Sequence, residues 1–174
     1  LQGACVFGFN FVCFYTANAY INSGLESVLF SLAIVFNAIN GVIFFGQRIT
    51  LRLLMANLLG MAGIVGLFWY DIADEQVSNG VLIGIGLSLL GTYGFSLGNM
   101  ISVRFQRQGL NLLTTNAWAM GYGALIMLGL ALLTGASFAI EQTPAYIGSL
   151  LYLAIIGSII GFATYFSLVG RIGA

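Results

Sequence analysis

The chain has 174 residues, of which 60% are hydrophobic and 6% are charged, and its five arginines and five acidic residues give a formal net charge of zero. Its mean hydropathy is +1.02. A soluble domain carries about 25% charged residues, so this composition excludes an ordinary soluble protein and predicts one that is surrounded by lipid. The zero net charge also argues against nucleic acid as a partner, because nucleic-acid-binding proteins carry basic patches.

Six apolar segments of the sequence come close to the roughly 20 residues that a helix needs to cross a membrane. In chain order they are residues 2–21, 24–46, 52–70, 79–101, 113–134 and 147–169. Short connections with polar and turn-forming residues separate them. The alternating polar and apolar strands of a membrane barrel are not seen in the sequence. The predicted fold class is therefore all-α: a polytopic membrane protein with six transmembrane helices in a lipid bilayer.

The charged residues alternate in sign from one predicted connection to the next. Glu26 lies by the first connection, and the later positions are, in order, Arg48 and Arg52, then Asp71, Asp74 and Glu75, then Arg104 and Arg107, then Glu141, and finally Arg171. Arginine marks the cytoplasmic side of a membrane protein. The alternation predicts that the arginine-bearing connections are cytoplasmic and that the first helix runs from inside to outside.

Glu26 is the only charged residue in the first 46 positions. With Ser23 it forms the pattern S-x-x-E, a capping box in which the hydroxyl accepts from the amide of residue 26 and the carboxylate bonds back to the amide of Ser23. This role would leave the carboxylate hydrated at the membrane boundary. The functional alternative is a carboxylate that couples transport to a proton or a solute, since ionisable groups at membrane depth often mark transport paths.

Small residues recur every three to four positions in the fourth predicted helix. They are Gly80, Gly84, Ser88, Gly91, Gly94 and Gly98. Because lipid gives little hydrophobic drive for one helix to pack on another, such stripes mark the faces where membrane helices approach closely. The stripe predicts a tightly packed bundle around this helix.

Uncharged polar side chains lie inside several predicted spans, where each must find a hydrogen-bond partner. A single Asn is explained by a hydrogen bond between helices, but a set of them with Tyr and Trp is what a polar cavity for an organic solute would need. The candidate substrate-binding residues are Asn10, Tyr15, Asn18, Asn37, Asn40, Trp118 and Tyr165, and Glu26 is the coupling candidate. No catalytic set or metal-ligand cluster stands out in the sequence, so we expect no enzyme activity and no cofactor.

The order of these segments resembles a known carrier family. The stretch SGLESVLFSLAIVFNAINGVIFFGQRITLRLLMANLLGMAGIVGLFW is similar to the end of the first half of EamA-type carriers of the drug/metabolite transporter superfamily. GIGLSLLGTYGFSLGNMISVRF, NAWAMGYGALIMLGLALLTG and LLYLAIIGSIIGFATYFSLVGRIGA resemble the first three helices of the second half. Gln47 stands where the family has an acidic residue, and the family's proline is replaced near Ile34.

The resemblance implies ten helices in two five-helix repeats of opposite orientation, of which this chain would hold the third to the eighth. Residues 1–70 would then end the first repeat, residues 71–78 would form an external linker, and residues 79–174 would begin the second repeat. In this register residue 15 corresponds to residue 165, which pairs Tyr15 with Tyr165 and Gly8 with Ser158.

The function implied is a secondary transporter of the bacterial inner membrane that moves small organic metabolites or drugs by alternating access, as an exporter. A proton or counter-solute would drive it, and assembly as a homo-oligomer stays open. The alternative is a non-transporting polytopic subunit or scaffold, in which the Asn residues only hold helices together.

Overall fold

The computed structural model describes residues 1–47, 50–67, 69, 79–136 and 141–172. Arg48, the acidic residues Asp71, Asp74 and Glu75, and the predicted linker 71–78 lie outside the described residues. Within them the chain is all-helical, as predicted. The helices are α1 (Ala4–Ala17), α2 (Ser23–Phe45), α3 (Leu51–Leu67), α4 (Asn79–Arg107), α5 (Leu112–Leu133) and α6 (Pro144–Arg171).

Four of these helices are long and apolar enough to cross a membrane, namely α2, α4, α5 and α6. The other two, α1 and α3, are apolar but shorter than a full span. Each of the six predicted segments therefore contains a helix, and four reach spanning length. Several apolar helices of this kind fit a multi-pass membrane protein.

Local signals set the helix ends, and several ends differ from the prediction. α1 ends at Ala17, four residues before the predicted end of the first span. The largest extensions beyond the predicted bounds are at α4 and α6. At α4 the helix runs six residues past the predicted end and places Arg104 and Arg107 in its last turn, where positive charge favours the negative end of the helix dipole. Gly109 follows with φ +78°, a left-handed conformation that suits glycine. At α6, Thr143 caps the helix and Pro144 is its first residue, three positions earlier than the apolar pattern predicts.

The small-residue stripe of α4 packs against α1. From one end to the other, Gly84 meets Tyr20 and Ile21, Gly91 meets Cys13 and Phe14, Gly94 meets Phe9, and Gly98 meets Val6. Rising numbers on α4 meet falling numbers on α1, so the two helices are antiparallel. Ser88 is also fully buried on this stripe. The stripe thus brings the backbones together, as small residues do in membrane helices.

The remaining contacts fix the direction of the other helices. α5 packs against α1 in parallel, because Gly3 faces Ala119 and Gly123 faces Phe7. α2 is parallel to α4, because Leu29 lies against Thr92 and Asn37 lies against Asn99. α6 is also parallel to α4, since Asn99 meets Tyr165 while Gln106 bonds the carbonyl of Phe166.

These directions separate the charges that the structure describes. The Arg107 guanidinium lies 4.2 Å from the ring centre of Phe45, so the C-terminal ends of α2 and α4 meet, and Arg171 ends the parallel helix α6. Glu26 lies in the first turn of α2 and Glu141 lies just before α6, both at the opposite end of the bundle. One end therefore carries arginine and the other carries carboxylates.

The α1–α4 contact can be tested by adding one methyl group. A Cβ at Gly91 would come within 2.8 Å of the Phe14 ring and 2.9 Å of the Cys13 Cβ, whereas a Cβ at Gly86 on the same helix would meet nothing within 4 Å. We expect Gly91→Ala to lower the free energy of unfolding by about 1–3 kcal/mol, the usual effect of overpacking. SDS titration in micelles, followed by circular dichroism, measures this.

Gly86→Ala is the matched control for that experiment, because it makes the same change of helix propensity in open space. We expect it to be neutral or slightly stabilising, since Ala favours helix over Gly. Equal stability of the two variants would show that α1 does not lie against Gly91.

Candidate functional site

Two adjoining cavities lie on the faces of α1 and α2. The first, the Glu26 cavity, has a volume of about 360 Å³ and is lined by Asn10, Phe11, Phe14, Tyr15, Asn18, Glu26, Ser27 and Phe30. The second, the Tyr165 cavity, has a volume of about 760 Å³ and extends to Asn37 on α2, Phe95 on α4, and Ser158 and Tyr165 on α6. Both are lined by Asn10, Phe11, Tyr15 and Phe30, so they form one connected recess. These volumes are in the range of small-molecule sites.

Most of the residues predicted from the sequence line this recess. Asn10 and Tyr15 line both cavities, Asn18 lines the Glu26 cavity together with the coupling candidate, and Asn37 and Tyr165 line the second cavity. Their role in binding a solute stays a prediction.

Asn40 and Trp118 are not among the residues that line either cavity. Asn40 is 1% exposed and donates to the Ser96 hydroxyl at 2.9 Å, so it joins α2 to α4 as an interhelical hydrogen bond. Trp118 is 64% exposed on α5 and stacks on Tyr122 with ring centres 5.9 Å apart.

A buried hydrogen-bond network closes one side of the Tyr165 cavity. The Asn99 side-chain amide donates to the side-chain Oδ1 of Asn37 at 3.1 Å and to the Tyr165 hydroxyl at 2.8 Å. The Asn37 amide also reaches the Tyr165 hydroxyl at 3.5 Å. Three helices, α2, α4 and α6, are joined at this point.

Asn99 is the residue of this network that the sequence did not single out. It falls two residues from the predicted end of its helix, a position that indicates a role at the membrane surface. The helix continues to Arg107, so Asn99 is internal and fully buried. Asn99 lies two helical turns after Thr92, on a polar edge of the helix that also includes Ser96. This spacing is the sequence pattern that indicates a buried role for Asn99.

Glu26 does not form the predicted capping box. The helix α2 is capped by Asn22, which has an extended backbone and whose side chain accepts from the amide of Leu25 at 2.8 Å. Because the cap lies one residue earlier than predicted, Ser23 is the first helical residue and Glu26 the fourth, too far along to bond back to the capping residue. Glu26 as a residue is also only 8% exposed, and its Oε1 is buried, whereas the capping role predicts a hydrated carboxylate.

Instead, Glu26 contributes a carboxylate to the wall of its cavity. The Asn18 side chain hydrogen-bonds to it, while its Oε1 is buried with no hydrogen-bond partner among the described residues. Asn10 is similar: its amide donates to the carbonyl of Val6 at 3.3 Å, and its Oδ1 is buried without a partner in the same part of the chain. The cavity wall therefore holds two residues with an unused acceptor.

The wall of the Tyr165 cavity on α6 is π-helical. The segment Leu153–Ile160 has this wider winding, and within it the Ser158 hydroxyl donates to the carbonyl of Leu153 at 3.1 Å. No residue of this segment is buried in the bundle. Such π segments are frequent at functional sites of helical proteins.

The network around Tyr165 can be tested by removing one hydroxyl. We expect Tyr165→Phe to lower the free energy of unfolding by about 0.6–1.7 kcal/mol, which spans the average and the largest values for hydrogen bonds between membrane helices, because the buried Asn99 amide loses a partner. SDS titration again measures the change. Tyr122→Phe is the control, since Tyr122 is 56% exposed on α5; the same loss in both variants would contradict the network.

Comparisons with protein-family models, with curated proteins and with solved structures found no match to this chain. The assignment of a function therefore rests on the residues and geometry of the two cavities.

Proposed function

We propose that this protein is a membrane secondary transporter that moves small organic solutes by alternating access, as an exporter of the bacterial inner membrane. The observation that carries the proposal is the connected recess formed by the Glu26 and Tyr165 cavities. Its wall combines amide, phenol and carboxylate groups with phenyl rings. A few convergent polar groups in a mostly apolar pocket are typical of small-molecule sites.

The helix arrangement supports transport in preference to a purely structural role. The recess is lined by helices from both predicted repeats, α1 and α2 from the first and α4 and α6 from the second. In carriers built from inverted repeats, the solute binds at the interface between the repeats. The resemblance to EamA-type carriers, with ten helices in all, leads to the same proposal from the sequence.

The alternative is a non-transporting subunit or scaffold. The Asn40–Ser96 bond and the Asn99 network favour it in part, because these amides do serve to join helices. This role does not explain Tyr15, which is 67% exposed beside Asn10 on the recess wall, or the unused acceptors there.

Two variants of the recess wall distinguish transport from a scaffold role. We expect the full-length protein, expressed in a bacterial host, to raise resistance to at least one member of a panel of toxic amines, amino-acid analogues and dyes. Tyr15→Ala and Asn18→Leu should abolish this protection, because both side chains line the recess. Both residues are exposed, so the substitutions leave the packed core intact and the amount of protein in the membrane should not change. Minimum inhibitory concentration is the measurement.

Tyr122→Ala is the control for those variants, since Tyr122 is an exposed aromatic residue away from the recess. We expect it to keep full protection. Protection that survives Tyr15→Ala and Asn18→Leu unchanged, or that never occurs with any compound, would favour the scaffold.

The orientation is a separate prediction. We propose that the arginine-bearing end is cytoplasmic, because arginine is retained on that side. In a background with Cys5 and Cys13 replaced by Ser, a cysteine at Gln108 should react with an impermeant maleimide only in inside-out vesicles. A cysteine at Thr143 should react only in intact spheroplasts; the reverse pattern would contradict the proposed orientation.

A further inference from the structure

We propose that the Glu26 cavity binds a protonated primary or secondary amine with an apolar, ring-sized body. This inference rests on the proposed function and names the chemical class of the solute. Three independent features of the cavity lead to it: an uncompensated carboxylate, unused hydrogen-bond acceptors and a wall of aromatic rings.

The first feature is the charge. Glu26 is 8% exposed, and a carboxylate in such surroundings needs a cationic partner. The sequence has neither Lys nor His. Arg104, Arg107 and Arg171 lie at the other end of the bundle, and Arg52 is the second residue of α3, seven positions after Phe45 in the chain. Phe45 lies nineteen positions after Glu26 along α2, a rise of about 28 Å, and Arg107 packs on the Phe45 ring. A ligand is left to supply the positive charge.

The second feature is the excess of acceptors over donors. Oε1 of Glu26 and Oδ1 of Asn10 have no partner among the described residues, and the donor of Asn10 is already used by the Val6 carbonyl. A buried acceptor without a donor is destabilising. An ammonium group provides two or three N–H donors to such oxygens, whereas a quaternary ammonium provides none. Both oxygens are themselves buried, so side-chain rotation on binding is part of the proposal.

The third feature is the aromatic wall. Phe11 stacks on Tyr15 with ring centres 5.9 Å apart, and Phe14 meets Phe30 edge-on at 5.4 Å; all four line the cavity. Ring faces attract cations, the more so when water is excluded, and they pack against an apolar ligand body. A bare Mg²⁺ or Ca²⁺ ion would find too few oxygen ligands among the residues that line this cavity, because these ions take six or more.

The same features predict what the cavity rejects. A zwitterionic amino acid carries a carboxylate that would lie near Glu26, and the described cavity wall contains no arginine to receive it. A neutral alcohol of the same shape would leave the charge of Glu26 uncompensated. Three compounds that share a phenyl ring and an ethyl chain therefore discriminate between the recognition features: phenethylamine, phenylalanine and 2-phenylethanol.

The test is equilibrium binding of radiolabelled phenethylamine to the full-length protein in lipid nanodiscs. We expect saturable binding that unlabelled phenethylamine displaces at least about tenfold more effectively than phenylalanine or 2-phenylethanol, a factor that corresponds to about 1.4 kcal/mol. This comparison uses the unchanged protein, so it does not depend on the folding of any variant. Absent binding, or equal displacement by all three compounds, would overturn the proposal.

Variants then assign the selectivity to Glu26. Glu26→Gln keeps the size of the side chain and a hydrogen bond to Asn18, and we expect it to weaken phenethylamine binding about tenfold or more, because a buried charge pair is lost. Glu141→Gln, which removes the exposed carboxylate just before α6 at the same end of the bundle, should leave binding unchanged. Unchanged affinity in Glu26→Gln would overturn the role of the carboxylate.

Failure of this inference differs from failure of the proposed function. If the protein protects cells from a solute through Tyr15 and Asn18 but does not bind phenethylamine, the transporter proposal stands and the amine is wrong. If phenethylamine binds through Glu26 but no compound of the panel is exported, the proposed amine site is correct and the proposed transport function is wrong.

Discussion

The arrangement of the bundle depends on the close approach of α1 to α4. Glycine at four positions of the α4 stripe lets α1 and the turn that follows it lie against the α4 backbone, from Val6 to Ile21. In lipid this contact gains little from the hydrophobic effect, so its stability comes from van der Waals packing at short distance. Because α1 is held there, Asn10 and Tyr15 face α2 across a gap, and this gap is the recess.

The polar edge of α4 contacts different helices from those that the glycine stripe contacts. Thr92, Ser96 and Asn99 occur at helical spacing and are fully buried, and they bond α2 and α6 rather than α1. An unpartnered amide in lipid is costly, so these bonds fix the rotation of α2 and α6 about their axes. Fixing the rotation of α2 also fixes the position of Glu26 on the recess wall.

The features that could be predicted from the sequence are those that repeat along a helix. The glycine stripe of α4 and the apolar segments have a period that is visible without a partner, and both appear in the structure as helices and contact faces. Asn10, Tyr15 and Asn37 could be selected because a polar residue within an apolar span has few explanations. The sequence does not predict which of these side chains contact one another, because those contacts depend on how each helix is rotated about its axis.

The features that could not be predicted depend on single positions. Asn22 and Ser23 are both good capping residues, and only the backbone shows that Asn22 takes the role, which moves Glu26 out of the capping box. In the sequence, Asn40 and Tyr165 share the same feature: each is a polar residue within a predicted transmembrane span. Ser96 is close enough to satisfy Asn40 and take it out of the recess, whereas Tyr165 keeps its ring on the recess wall.

The two π-helical segments lie at corresponding positions of α1 and α6, a correspondence that the hydrophobic periodicity of the sequence does not show. One is Ala4–Phe9 in α1 and the other is Leu153–Ile160 in α6. A shift of 150 residues, the register that pairs Tyr15 with Tyr165, places the second segment over the first. The two helices also run in opposite directions, since α1 is antiparallel and α6 parallel to α4. Both relations are those expected of the inverted repeat that we propose. The π segment of α1 supplies the Val6 carbonyl that accepts from the Asn10 amide, and the π segment of α6 contributes Ser158 to the wall of the Tyr165 cavity.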